Sequence, residues 1–397
     1  MLRLPCLLLL VLLCGQLSPL AAQDDPNLPP NPDAETVKPD PFAVPEGTDP
    51  TALRLYLNRI ARMPPADRSE EGIQKHFTKI GTALDDLLSR ELETETFLQV
   101  AELRLSVIDL LERFEDPTAP QVRKTLMTKL QADERPEVKK LLGRLELEQQ
   151  ISELEAATGE ERMAVVQKVA GLIQQVKSGD DEALQNAINM ASTTTDVLES
   201  IEDFALAASA TQLFAKYLGA MEDPRLERLV ASMQSNARRL QLPGNEIEVK
   251  GTTVDGEAFD INSLKGKVVL VDFWATWCGP CRAELPNVKR MYAAYHEKGF
   301  EVVGISLDES RDDLEAFLEQ QETAWITLFD DKPENAGWNH PVARNYGISG
   351  IPAVILVNQE GKVVSLNARG PELPKLLEKL LGPVELPPED VLIPPQN

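Results

Sequence analysis

The chain reads as multidomain: a long all-α region, then an α/β domain with a central mixed sheet flanked by helices. Three observations carry this. Residues 51–240 hold apolar side chains at helical spacing, with no β-branched cluster in period two. Residues 242–382 change to short apolar runs alternating with amphipathic stretches. Within them, the run Val268-Val-Leu-Val-Asp-Phe-Trp274 leads through Ala-Thr-Trp to Cys278-Gly-Pro-Cys281 and straight into a helical pattern from Arg282 to Lys298. At 397 residues the chain exceeds one typical domain, so two or three units are expected.

Residues 1–22 have the features of a cleaved export segment. Arg3 gives a positive start, Leu7 to Leu13 a brief apolar core, and Leu20-Ala-Ala22 a small-residue cleavage site. That core is too short to span a bilayer comfortably. A rival reading makes Cys14 a lipid-modified terminus, but Leu13 stands where a small residue is needed, so cleavage near Ala22 is preferred and an exported location is expected. No later stretch is long and apolar enough to span a membrane. The net charge of −24 argues against a nucleic-acid partner, whose phosphates would be repelled. Residues 23–50, rich in proline and acid, read as an extended disordered linker, and residues 383–397 as a Pro-rich tail.

In the helical region, Leu53, Leu57 and Ile60 share one face, and Phe97 to Phe114 is a longer amphipathic run. Asp116-Pro117, Arg135-Pro136 and Asp223-Pro224 look like helix starts. Thr158-Gly-Glu-Glu161 fits a capping box opening a helix to Val176. Seven to nine helices are expected, with no repeat period and no cluster of His, Cys or paired carboxylates. The region does not disclose a function.

Leu242-Pro-Gly244 ends the helices, and residues 247–260 alternate about a hairpin turn at Asp255-Gly256. Strands follow at residues 300–306 and 325–329, and helices at 312–320 and 342–346. A strand pair at 353–357 and 362–366 turns at Gln359-Glu-Gly361, and a helix at 374–381 closes the domain. The order is a βαβ unit, then a hairpin and a helix, with helices on both sheet faces.

Removal of the export segment takes Cys6 and Cys14, leaving Cys278 and Cys281. Two cysteines two residues apart are no disulfide framework, and the three histidines are not in zinc-ligand spacing, so no metal or other cofactor is implied. A strand that ends in Cys-X-X-Cys and enters a helix puts the first sulfur beside unpaired N–H groups and the positive end of the helix dipole. Cys278, at an exposed helix start, is therefore the expected nucleophile with a lowered pKa, and Cys281, one turn on and less exposed, the resolving thiol. Gly279 and Pro280 suit the turn, and Pro286 should bend the helix. Asp272, mid-strand in an apolar run, should have its pKa raised. Trp277 is expected to shield the cysteines, Trp274 to pack, and His296 and His340 to be solvated.

Trp-Ala-Thr-Trp-Cys-Gly-Pro-Cys resembles the active-site signature of the thioredoxin superfamily, and more closely of its TlpA-like and ResA-like extracytoplasmic thiol–disulfide oxidoreductases. The phrase Asp255-Gly256, Phe259, Leu264, Gly266-Lys267 is similar to the lead-in of TlpA-like proteins. The resemblance covers about Leu242 to Leu381 and stops there. It implies a thioredoxin-like fold, a redox disulfide between Cys278 and Cys281, and a partner set of protein thiol or disulfide substrates plus an electron donor that the sequence does not identify. It implies that Asp272 or Glu284 assists deprotonation of the inner cysteine, without ranking the two. It makes Pro352 the cis-proline facing the active site, with Ile351 pairing its backbone with substrate. Gly-Pro between the cysteines tilts the expectation towards a reductase of protein disulfides. The rivals are a peroxiredoxin-like thiol peroxidase, suggested by Gly304-Ile-Ser-Leu-Asp308 but short of that family's cysteine motif, and a non-catalytic adaptor working through the helices.

Overall fold

The computed structural model describes residues 40–387. The expected export segment, Cys14, the expected linker up to residue 39 and the expected tail from residue 388 lie outside the described residues. The chain divides into two compact units, Met1–Glu146 and Leu147–Asn397. The division therefore falls inside the helical region expected as one block over 51–240. The physical reason is two separate apolar cores, one closing with Leu141 and the next opening at Leu147.

The first unit holds α1 (Pro50–Arg62), α2 (Glu70–Leu88), α3 (Thr94–Arg113), α4 (Ala119–Gln131) and the start of α5 (Pro136–Ser152). Asp49 and Ser69 cap α1 and α2 through side-chain oxygens that accept from backbone N–H groups. Leu53, Ile60, Leu84, Leu87, Val100 and Ile108 are buried on the facing stripes. Residues 40–49 depart from the expected disordered linker. Phe42 stacks edge-on against His76 at 5.4 Å, and the Tyr56 hydroxyl donates to the Phe42 carbonyl at 2.8 Å. Two apolar side chains, Phe42 and Val44, pack on the core and offset the ordering of a polar, proline-rich stretch.

The second unit begins with α6 (Gly159–Gln175), α7 (Asp181–Ser200), α8 (Phe204–Gly219) and α9 (Glu227–Leu240). Nine α-helices thus precede the sheet among the described residues, and the capping box at Thr158 and Glu161 is complete in both directions. The hairpin β1 (Lys250–Thr252) and β2 (Ala258–Asp260) follows, joined through the turn at Gly256 with φ +85°. Then come β3 (Val268–Trp274), α10 (Gly279–Tyr295), β4 (Phe300–Ser306), α11 (Arg311–Gln320), β5 (Ile326–Leu328), α12 (Pro341–Asn345), β6 (Ala353–Val357), β7 (Val363–Ser365) and α13 (Glu372–Leu381). The five strands of the main sheet run in the order β5-β4-β3-β6-β7. β3, β4 and β5 are parallel through helical crossovers, while β6 and β7 run antiparallel.

Period-two alternation sends Val269, Val271, Phe273, Val303 and Ile305 to one face, with Leu314 of α11 and Phe259 of the hairpin. Val268, Leu270, Val302, Val354 and Leu356 face α10 and α13, where Val288, Met291, Leu373 and Leu377 complete the layer. This is the expected mixed sheet flanked by helices. β3 is central and buried on both sides, which explains an apolar run interrupted only at Asp272. The start of the expected tail is packed as well. Val384 and Leu386 lie against this second layer, and Arg290 Nε donates to the Pro387 carbonyl at 2.8 Å.

The helices of this unit are joined tightly to its sheet domain. Arg238 Nε of α9 donates to the Asn345 carbonyl at 3.0 Å. Gly347, at φ +60°, lies against α9 so closely that a Cβ there would sit 2.6 Å from the Asn236 nitrogen. Only glycine meets both the left-handed backbone and the close approach. Leu366 packs against both the helical core and the sheet core.

Candidate active site

The site lies where β3 ends and α10 begins. β3 delivers Trp274, the turn Ala275-Thr-Trp277 follows, and Cys278 is the N-cap of α10. Its Sγ accepts from the Cys281 N–H at 3.2 Å, the contact that an N-cap oxygen makes in other helices. Cys278 and Cys281 are joined as a disulfide, S–S 2.06 Å and Cα–Cα 5.3 Å. The expected contrast in exposure is absent in this form. Cys278 is 5% exposed and Cys281 7%, because the bonded pair packs with Trp274 and Ala275 in the core. Pro280 occupies the first turn of α10, where its missing N–H costs nothing, and Pro286 lies inside the same helix.

The Ile351–Pro352 peptide is cis. It immediately precedes β6, which pairs with β3. Arg369 Nη1 donates to the Pro352 carbonyl at 3.4 Å.

Asp272 stands opposite Gly304 and Val354 in the sheet, on the α10 side by alternation with Val268 and Leu270. Its side chain keeps some accessible area, yet the surrounding core removes most of its solvation. Burial, and secondarily the charge of Glu284, pushes its carboxyl up to about 7. Glu284 has a different environment. It accepts from the Gly370 N–H at 2.8 Å and from Asn287 Nδ2 at 2.6 Å, tying α10 to the turn before α13. One carboxyl is thus poised to change charge near neutrality, and the other is held in a structural hydrogen-bond set.

Several residues at the site carry no local sequence signal. Asp308 is buried and receives the Thr276 N–H at 3.1 Å, the Thr276 hydroxyl at 2.6 Å and the Ser306 hydroxyl at 2.8 Å. It fastens the turn that carries Trp277 and Cys278. Its own carbonyl accepts from Gly337 N at 3.4 Å, holding the segment after β5 to the same point. The only hint in the sequence is an acid two residues past the end of an apolar strand. His340, expected to be solvated, is 3% exposed; its Nδ1 accepts from Val342 N at 3.3 Å and caps α12. Burial drives its imidazole down to about 4, against the opposing charge of Asp330. Trp277 does project into solvent, 56% exposed, with its ring centroid 6.2 Å from that of Trp338. Trp274 packs against Phe317. Among the described residues, no group of three or more His, Cys, Asp or Glu is arranged to hold a metal.

The redoxin family model matches residues 241–380, the span of the hairpin, sheet and site just described. That domain belongs to the thioredoxin superfamily. Thiol-disulfide oxidoreductase ResA of Bacillus thuringiensis subsp. konkukian is 29% identical over 130 residues, 33% of this chain and 70% of that protein. ResA of Bacillus anthracis is 32% identical over 113 residues, 28% of this chain and 61% of that protein. Among solved structures, the thioredoxin domain of a thiol-disulfide oxidoreductase from Bacteroides vulgatus is 33% identical, covering 35% of this chain and 97% of that chain, with a TM-score of 0.32. The domain over residues 241–380 is thus similar to ResA-type thiol–disulfide oxidoreductases. These matches lie in the C-terminal third and leave the helices before it unassigned. Among the described residues, no helix is long and apolar enough to cross a membrane.

Proposed function

We propose that the protein is an exported reductase of protein disulfides, working through Cys278 and Cys281. The observation that carries this reading is the Cys278 sulfur at the N-cap of α10, accepting the Cys281 amide at 3.2 Å. A sulfur in that position gains more from the helix dipole and N–H groups as a thiolate than as a thiol. In the reduced protein the Cys278 thiolate attacks a substrate disulfide, forming a mixed disulfide and releasing one substrate thiolate, which takes up a proton. Asp272 accepts the Cys281 proton. The Cys281 thiolate then attacks the Cys278 sulfur, releases the second substrate thiolate, and leaves the Cys278–Cys281 disulfide. Two electrons pass to the substrate, so an external dithiol or thiol donor must restore the cysteines.

The carboxyl near 7 supports Asp272 over Glu284 as proton acceptor, since Glu284 is occupied with Gly370 and Asn287. Ile351 and Pro352 supply the backbone edge for substrate, and Trp277 covers the cysteines. The export segment at residues 1–22 supports an extracytoplasmic place of action. The helices serve docking or substrate choice. Cys281→Ser tests the mechanism: it should accumulate partners bound covalently through Cys278 in the exported compartment. An empty trap, together with wild-type thiols inert towards insulin disulfides, would overturn the reading.

A further inference from the structure

We propose that Trp338 is a substrate-contact residue which, with Trp277, grips an apolar side chain beside the disulfide being exchanged; this rests on exchange at Cys278. Among the described residues, five large apolar side chains stand exposed: Leu55, Met163, Trp277, Trp338 and Val364. Two of the five are tryptophans, and those two form a pair, centroids 6.2 Å apart and planes inclined by 54°. One of them immediately precedes Cys278. A chain with a net charge of −24 has no general need of two adjoining indoles in water, and such a patch marks a contact surface.

The backbone beneath both rings is fastened. Thr276, next to Trp277, is held by the Asp308 carboxylate at 2.6 Å, and Gly337, next to Trp338, donates to the Asp308 carbonyl at 3.4 Å. Asn335 Nδ2 bonds Asp330 at 2.8 Å on one side of Trp338, and His340 is buried on the other. Two inclined planes on fixed supports form a wedge, which suits an aromatic or large aliphatic side chain at low entropic cost to the protein. The substrate class is accordingly an extended polypeptide with such a residue next to the attacked cysteine. Small hydrophilic disulfides lack the group that fills the wedge.

The test uses the full-length reduced protein and two cystine-bridged peptides that differ only in the residue before the cysteine, tryptophan or glycine. Wild type should prefer the tryptophan peptide about tenfold in kcat/KM, the scale of one good aromatic contact. Trp338→Ala should bring that ratio to about one, and Trp338→Phe, which keeps a ring, to a value between. If the alanine variant does not fold, the phenylalanine variant must still lower the ratio by about twofold or more. A parallel fall on both peptides with the ratio intact, or a wild-type ratio near one, overturns the inference and leaves exchange standing. Wild type inert towards both peptides and towards small disulfides sinks the exchange reading, and the inference with it.

Discussion

Replacing Asp272 by Asn should change how stability depends on pH, by an amount that follows from the site. The carboxyl lies near 7 in the folded protein, against an ordinary 3.8. Below about 3.8 both states are protonated and the group contributes no difference. As pH rises the unfolded chain ionises first, while the folded protein must stay protonated or hold a charge with little solvation. Stability therefore falls between about pH 4 and 7 and levels off above. About three pH units at 1.36 kcal/mol each give roughly 4 kcal/mol. Asn has nearly the same shape and no titration, so any fixed packing or hydrogen-bond offset is the same at every pH. Urea unfolding of the disulfide form at pH 4 to 8 should show the variant gaining about 4 kcal/mol over wild type across that window. Parallel curves for the two proteins would refute the buried-carboxyl argument and remove the basis for choosing Asp272 as the proton acceptor.

His340 works in the opposite sense within nearly the same window. Its folded value of about 4 lies below the ordinary 6.5, so its contribution is complete above 6.5 and is lost as pH falls towards 4. His340→Asn, which keeps an acceptor at the start of α12, should abolish a loss of about 3 kcal/mol on that descent, read from the same unfolding series. Asp308→Ala leaves the Thr276 N–H and hydroxyl and the Ser306 hydroxyl without their acceptor; it should cost about 2–3 kcal/mol in unfolding free energy and slow exchange through a loosened turn. Gly347→Ala combines a left-handed backbone with the 2.6 Å approach to Asn236, and its melting should report a loss of about 1–3 kcal/mol, with hydrogen exchange rising in α9.

What was legible in the sequence is what local chemistry dictates. The β3 run, the helix entered at Cys278, the hairpin at Asp255-Gly256 and the capping box at Thr158 each depend on a few neighbouring residues, and each appears where the pattern places it. Among the helix starts marked by proline, Pro136 opens α5 and Pro224 a short 3-10 turn, whereas α4 begins at Ala119, after the turn that Asp116 makes with Thr118. The rest depends on partners far along the chain. Asp308 meets Thr276 across 32 residues, and Phe42 is fixed by Tyr56 and His76, so composition alone gave residues 40–49 the wrong character. His340 is polar in isolation, yet its Nδ1 caps α12 and its ring is buried. The division after Glu146 likewise depends on which apolar faces meet, and a helical period does not encode that.

The close approach at Gly347 bears on where the redox module can be cut from the chain. Family likeness begins at residue 241, yet at Gly347 the sheet domain beyond it lies directly against α9. A redox module lifted out at that border would leave the backbone at Gly347 without the helix it packs on, and Leu366 without the helical core. The unit that folds around the site therefore extends beyond the part that carries the family likeness.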